Sequence, residues 1–514
     1  MSGRTENTPS TTKDEAPKVD DQYVHGLPMS ILFIAQCLVA VLIALYMTVI
    51  ATAVPSITAH FGTIEDVDWY SAAYLLSICS LQPLTAHLYN LFFLKYTFIT
   101  FLSLFALGNL VGALAPTSAA FIVGRAVAGM GAAGMFNGSM VIMVASFEPS
   151  LRPRLMSLSG SMIGIGSVVG PVIGGAITEH AGWRWCLWVF LPPIGAAALV
   201  FFVQRIPEQM PKASPLSVVA QIHHKLDLVG FTLFSPASIM FLLAMSWGGS
   251  RYAWDSATII GLLCATPVTV GLFCAWAHHR KDRALIPPSL VAKPVILWGC
   301  AVSFAQGSSW IMVAYWLPLW FQSVKGANPQ AGGLMMLPTC ISQILASVAC
   351  SILIKRIPYA PFWSIVGNVL TAIGSALLTT FSVSTTSSER IGYQILGGVG
   401  RGFAMQMPLV AAQEILPSNQ ISIAAATLFF FQYFAGAAGN TIAKTIFINA
   451  LGPALRRYAP NVDAESVIHA GATEVFKMIG AEDRAGVILA YNHALTLTFV
   501  SNLEKSFKSE KVVY

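Results

Sequence analysis

Residues 160–175 read GSMIGIGSVVGPVIGG, with Gly166, Gly170 and Gly174 four apart, Gly175 beside the last of them, and Pro171 breaking the run. An α-helix turns once in about 3.6 residues, so glycines four apart share a face, and a face without side chains lets another helix approach closely. The stretch holds no charged residue. That composition suits a spanning helix, whose backbone hydrogen bonds close within itself and whose surface meets lipid or other helices. Two readings of the motif remain open: static packing, or a bend at Pro171 that opens or seals one end of a central cavity.

The rest of the chain is of the same kind. Of 514 residues, 55% are hydrophobic and 10% charged, against about 25% charged in soluble domains; mean hydropathy is +0.67. Apolar blocks predict helices over 31–54, 69–91, 96–115, 119–146, 156–178, 186–204, 228–247, 257–277, 295–321, 331–354, 360–381, 392–416 and 421–447, near the roughly 20 residues a span needs. A fourteenth stretch, 485–503, carries Asn492 and His493 at mid-length and runs straight into charge, so it reads as a marginal, truncated span. The chain reads as an all-α polytopic membrane protein. Its expected divisions are a polar cytoplasmic tail (1–28), a first six-helix bundle (29–205), a cytoplasmic loop with two intervening helices (206–280), a second bundle (281–447), an extracellular loop (448–484) and a last helix and tail (485–514).

Other classes are disfavoured. The net charge of +6 comes from 29 scattered Lys and Arg, not a basic stripe, so nucleic acid is not an expected partner. The eight cysteines form no CxxC pair and read as small core residues, with no metal site expected. No Gly-Lys dipeptide exists to build a phosphate loop, HExxH is absent, and no Asp, Glu or His is central in a predicted span, so neither ATP hydrolysis nor intramembrane catalysis is expected. Arg152, Arg154, Arg205, Lys212, Arg280, Lys281, Lys355 and Arg356 fall on one side, whereas the short loops opposite hold Arg184, Arg251, Lys325 and Arg390. This asymmetry predicts a cytoplasmic N-terminus. Gly124, Gly129 and Gly134 recur as Gly392, Gly397 and Gly402 at a constant offset of 268, which suggests helix 12 repeats helix 4, a transporter signature.

Gly166 to Gly175 fits the GxxxGPxxGG antiporter motif of the major facilitator superfamily. Residues 66–76 (DVDWYSAAYLL), 124–131 (GRAVAGMG), 182–186 (GWRWC), 242–254 and 490–496 (AYNHALT) resemble its fourteen-spanner drug:proton antiporters, especially fungal toxin-efflux members. The resemblance implies two six-helix bundles around a cavity, a monomer, a plasma-membrane location with the vacuolar membrane as alternative, and a proton gradient in place of a cofactor. Four places depart from the pattern: Tyr46 stands where an aspartate usually precedes Met-Thr, Ala86-His87 replaces Gly-Lys or Gly-Arg, Phe190 replaces Asn before Leu-Pro, and the chain turns polar after Val500.

The resemblance implicates Arg125 in proton relay, and Glu414 is the acid that could serve with it. A carboxylate in a membrane can load and release protons, but Glu414 also reads as a solvated helix end. Arg401 is a second intramembrane arginine, able to restore neutrality or attract an anionic substrate. By the same resemblance helices 1, 4, 9 and 12 line the cavity and offer Gln36, Tyr46, Asn137, Gln306, Trp310, Tyr315, Met405 and Gln406. Aromatic, thioether and amide groups suit large, mostly apolar ligands. The expected function is export of hydrophobic small molecules, such as secondary metabolites, toxins or drugs, by proton antiport with alternating access. The alternatives are a proton-independent facilitator and a non-transporting sensor or inactive paralogue.

Overall fold

The computed structural model describes residues 23–62, 66–208, 226–249, 251–463 and 482–510, and the single positions Lys212, Val467 and Gly480. Regular structure among them is helical: α1 (Gly26–Phe61), α2 (Val67–Leu91), α3 (Leu94–Ala113), α4 (Ser118–Ser146), α5 (Arg152–His180), α6 (Leu191–Val203, after a single turn at Trp185–Trp188), α7 (Leu228–Trp247), α8 (Ala257–Arg280), α9 (Pro294–Ser323), α10 (Leu337–Leu353, after Pro329–Leu334), α11 (Ala360–Thr379), α12 (Ser387–Ala404, resuming as Met407–Ile415), α13 (Ser418–Tyr458) and α14 (Arg484–Glu510). Among the described residues 11 helices are long and apolar enough to cross a membrane. Most of the predicted tail 1–28, most of 206–225 and part of the loop 448–484 lie outside the described residues.

Local chemistry marks the helix ends. Gly62 closes α1 with φ +67, a left-handed conformation that glycine adopts without strain. Thr117 caps α4 by accepting from Ala120 N–H, and Thr386 with Glu389 forms a capping box at α12. Asp227 caps α7 and does more. Its Oδ1 accepts from Gly230 N–H and the Trp276 indole, its Oδ2 from Leu285 N–H, all at 2.8 to 2.9 Å, tying α7, α8 and the segment after α8 together.

Several predicted ends move outward, helix 1 to Gly26–Phe61 among them. Helix 13 continues to Tyr458 instead of stopping at 447, so 448–458 is helix where a loop is expected. The fourteenth stretch forms a helix of 27 residues. Asn492, the residue that made it look weak, receives the Trp320 indole N–H at 2.8 Å and donates to Phe381 O at 3.2 Å. A polar group partnered in this way no longer opposes burial.

Each half crosses its helices alike. A Cβ on Gly108 (α3) would lie 2.2 Å from Ala128 N and 2.7 Å from Gly124 O; one on Gly367 (α11) would lie 2.6 Å from both Ala404 N and Gly400 O. The match superposes Gly124, Arg125 and Ala128 on Gly400, Arg401 and Ala404. Helix 12 does repeat helix 4, but eight residues away from the expected register. Glycine-rich helices match one another at several offsets, and only the backbone crossing selects one.

Successive long helices run antiparallel, giving a Gly26 side and a His180 side: Val24 N–H reaches Ser146 O on the first, and Tyr70 meets Ser118 on the second. Intervening helix α7 lies against α2 and α13 through Trp69–Trp247, Phe234–Phe430 and Phe241–Phe434. α8 packs on α7 and leaves Val268 and Leu272 exposed, as a lipid-facing helix does.

Candidate functional site

The glycine stripe of α5 lies on α1. Cβ atoms on Gly166, Gly170 and Gly174 would come within 2.9 Å of Val41 and Ala44, of Thr48, and of Val49 and Thr52 respectively, whereas Gly164 and Gly175 have open space. Gly333, before α10, approaches Val172 beside Pro171, so the motif also meets the second half on the His180 side.

Arg125 is 2% exposed. Its Nε–H donates to Tyr70 O at 2.7 Å, and its guanidinium lies 4.6 Å from the Tyr46 ring centre and 4.8 Å from that of Tyr74. Tyr46 also packs on Phe105 and Phe190, two further rings about 5 Å away. The Arg125 Nη1 and the Tyr46 and Tyr74 hydroxyls find no hydrogen-bond partner among the described residues. Where the family pattern has an acid, this chain surrounds its arginine with π faces. Each is worth about 0.5–2 kcal/mol, less than the several kcal/mol that desolvating a charge costs.

Glu414 is exposed at the Gly26 end of α12. Its neighbour Gln413 donates to Met140 Sδ on α4, and Met140 lies 15 residues, about 22 Å of helix, from Arg125. The expected relay pair is kept apart, because Arg125 lies toward the opposite end of α4. Arg401, also 2% exposed, makes no side-chain hydrogen bond or ion pair among the described residues.

Among the described residues, cavities lie between the halves on both sides. In the Gly26 half, a space of about 60 Å³ is lined by Met140, Met143, Met156, Trp310, Met405 and Gln406, among others. In the His180 half, a cleft of about 320 Å³ is lined by α1, α2, α7, α9 and α13, including Tyr315 and Lys444. Phe136 and Tyr433, ring centres 5.0 Å apart, line the smaller space, with Phe429 beside Phe136. Ligand sites for drug-sized molecules run about 300–1,000 Å³, so the cleft can seat one and the smaller space cannot in this conformation. Toward the Gly26 side, Ser422 Oγ donates to Ala86 O and the His87 ring reaches Leu285 O at 2.8 Å. The departure at Ala86-His87 therefore sits in a contact holding the halves together.

Trp310, Met405 and Gln406 line the smaller cavity, and Tyr315 the cleft. Gln36, Asn137 and Gln306 do not line either. They bridge helices instead, Gln36 to Ser139 O, Asn137 to Thr85 and Gln306 to Asn368. Polar residues on a cavity helix look the same in sequence whether they face the space or a neighbouring helix. Sequence reasoning missed the methionines of α4 and α5 and the Phe136–Tyr433 ring pair that line the smaller space; the i, i+3 pair Met140 and Met143 was the available signal.

Sequence comparison agrees with this architecture. The profile described as Major Facilitator Superfamily matches residues 36–440. The chain is 40% identical over 477 residues to the MFS-type transporter pigP of Monascus ruber, covering 93% of this chain and 84% of that one. It is 36% identical to the MFS-type efflux pump MFS1 of Arthroderma benhamiae, covering 96% and 93%. Among solved structures, the human organic anion transporter MFSD10 aligns with TM-score 0.58 at 16% identity over 92% of this chain and all of that one, a likeness of fold alone. Paired half-bundles, the glycine stripe on α1, cavities lined by helices of both halves and a profile spanning both halves lead to one assignment: the chain belongs to the major facilitator superfamily, alongside fungal MFS-type efflux pumps.

Proposed function

We propose that this protein is a secondary exporter of hydrophobic small molecules, of the secondary-metabolite, toxin or drug type, working by alternating access. The observation that carries the reading is the pair of cavities, one toward each side and each lined by helices of both halves, with contacts joining the halves toward both ends. Such a pathway needs only relative movement of the halves to expose either cavity. Methionines suit varied apolar guests because their side chains repack. The exporter acts as a monomer in the plasma membrane, N-terminus cytoplasmic, without a cofactor and with the proton gradient as energy source. The vacuolar membrane is the alternative location.

A second reading of the coupling has its own support. Tyr46 occupies the place of the usual acid, and Arg125 and Glu414 stand far apart, which favours a facilitator that needs no proton. The test is untargeted mass spectrometry of retained and secreted small molecules from cells with and without the gene, before and after a protonophore. A compound retained in deletion cells supports export, and its dependence on the proton gradient decides between antiport and facilitation. No change in any compound, with the protein present in the membrane, overturns both.

A further inference from the structure

The cleft in the His180 half has a wall that neither six-helix bundle supplies. Beside Leu75 of α2 and Ala437 of α13, its lining includes Leu242, Leu243 and Ser246 of α7, a helix that stands between the two bundles in the chain. Those three residues lie within about one turn, on one side of α7, and Leu242 is only 5% exposed.

The way α7 is held explains why it faces the cleft. Toward the Gly26 side α2 meets α13 directly, with Ser422 Oγ donating to Ala86 O. Toward the His180 side both helices border the cleft, and α7 bridges them. Trp247 packs on Trp69 of α2 with ring centres 5.7 Å apart, and Phe241 stacks on Phe434 of α13 at 5.3 Å. α7 therefore contacts a helix of each half while its leucines border the space between them. The second intervening helix behaves differently: α8 packs on α7, leaves Val268 and Leu272 exposed, and among the described residues adds none to the cleft lining. A helix that only filled lipid-facing surface would look like α8, not like α7.

We propose that α7 is part of the substrate site, its Leu242 and Leu243 forming the wall that sets how large an apolar guest the cleft accepts. The proposal rests on the export reading and assigns its size selectivity to a helix outside both bundles. The cleft holds about 320 Å³, at the lower end of the range of about 300–1,000 Å³ for drug-sized sites, so a guest of that size is in contact with α7. In apolar pockets one methylene more or less changes discrimination by roughly tenfold or more, and a leucine side chain is large on that scale.

The test uses a graded series of neutral apolar probes, the ethyl, butyl, hexyl and octyl esters of 4-hydroxybenzoic acid. Each is scored by its accumulation in deletion cells divided by that in cells expressing the full chain at matched surface level. Relative to wild type, Leu243→Trp is expected to lower the octyl-to-ethyl export ratio by about tenfold and Leu243→Ala to raise it. Leu272→Trp, on the exposed surface of α8, is expected to leave the ratio unchanged. A variant that is merely less stable lowers export of every ester alike and does not move the ratio. If Leu243→Trp does not reach the surface, Leu243→Ala and Leu242→Ala carry the test, both raising the ratio. A ratio unmoved by the α7 substitutions, or moved equally by Leu272→Trp, overturns the α7 wall and leaves the export reading standing. Export of no ester by the wild type overturns both.

Discussion

Arg125 is held by a backbone carbonyl and two ring faces, which makes its neighbours separable by chemistry. The Tyr74 hydroxyl bonds nothing among the described residues while its ring supports the cation, so Tyr74→Phe is expected to be close to neutral. Tyr74→Ala is expected to cost about 3–5 kcal/mol, as for other large aromatic truncations; thermal unfolding of the purified variants measures both. In the loop after α6, Glu208 accepts Leu94 N–H at 2.6 Å, and Lys212 donates to Tyr89 O and Asn90 O. Burial raises the Glu208 carboxyl above its ordinary value, opposed by Leu94 N–H and Lys212. The contribution of its protonation to stability is therefore full below the ordinary value of 4.5 and lost as pH rises through the raised one. Melting temperatures of wild type and Glu208→Gln across pH should show the wild type gaining on the variant as pH falls. The sequence displays Arg125 as an intramembrane cation, but its tyrosine cage joins residues 46, 74 and 125 from three helices and is invisible until those helices pack.

At the scale of elements, the α5 stripe is the feature most legible in sequence, because four-residue glycine spacing maps directly onto one helix face. The same helix supplies its own control. Gly170→Ala puts a methyl group into Thr48, a stiff β-branched neighbour, while Gly164→Ala meets nothing within 4 Å. The first is expected to separate α1 from α5 and reduce transport several-fold, the second to leave it near wild type; flux at matched surface expression checks the pair. Less legible is Asp227, which in sequence is an acid at a helix start and in the structure a three-way tie. Asp227→Ala leaves three donors without it, at about 1–3 kcal/mol for each left buried and unsatisfied. A large fall in melting temperature, only partly prevented in Asp227→Asn, is the expected outcome. α14 is helical throughout and gives Asn492 partners in Trp320 and Phe381, yet it is not among the 11 helices apolar enough to cross a membrane, in keeping with a marginal span.

For the whole molecule, the separation of Arg125 from Glu414 bears on energetics, because a transporter without a proton relay only equilibrates its substrate. In proteoliposomes loaded with a compound that deletion cells retain, uphill movement driven by an imposed pH gradient is the outcome expected of proton antiport, and downhill movement indifferent to that gradient the outcome expected of a facilitator. Composition and the lengths of the apolar blocks by themselves determined that this chain is a bundle of membrane helices, because each helix closes its own backbone hydrogen bonds and its solvent choice depends on local hydrophobicity alone. The glycine motif added the superfamily and one packing face. Only the tertiary structure decided which polar residues bridge helices and which line a cavity, which arginine repeats which, and that Arg125 and Glu414 do not meet. Those outcomes depend on the rotation and crossing of helices far apart in sequence, and side-chain spacing along a single helix carries no record of either.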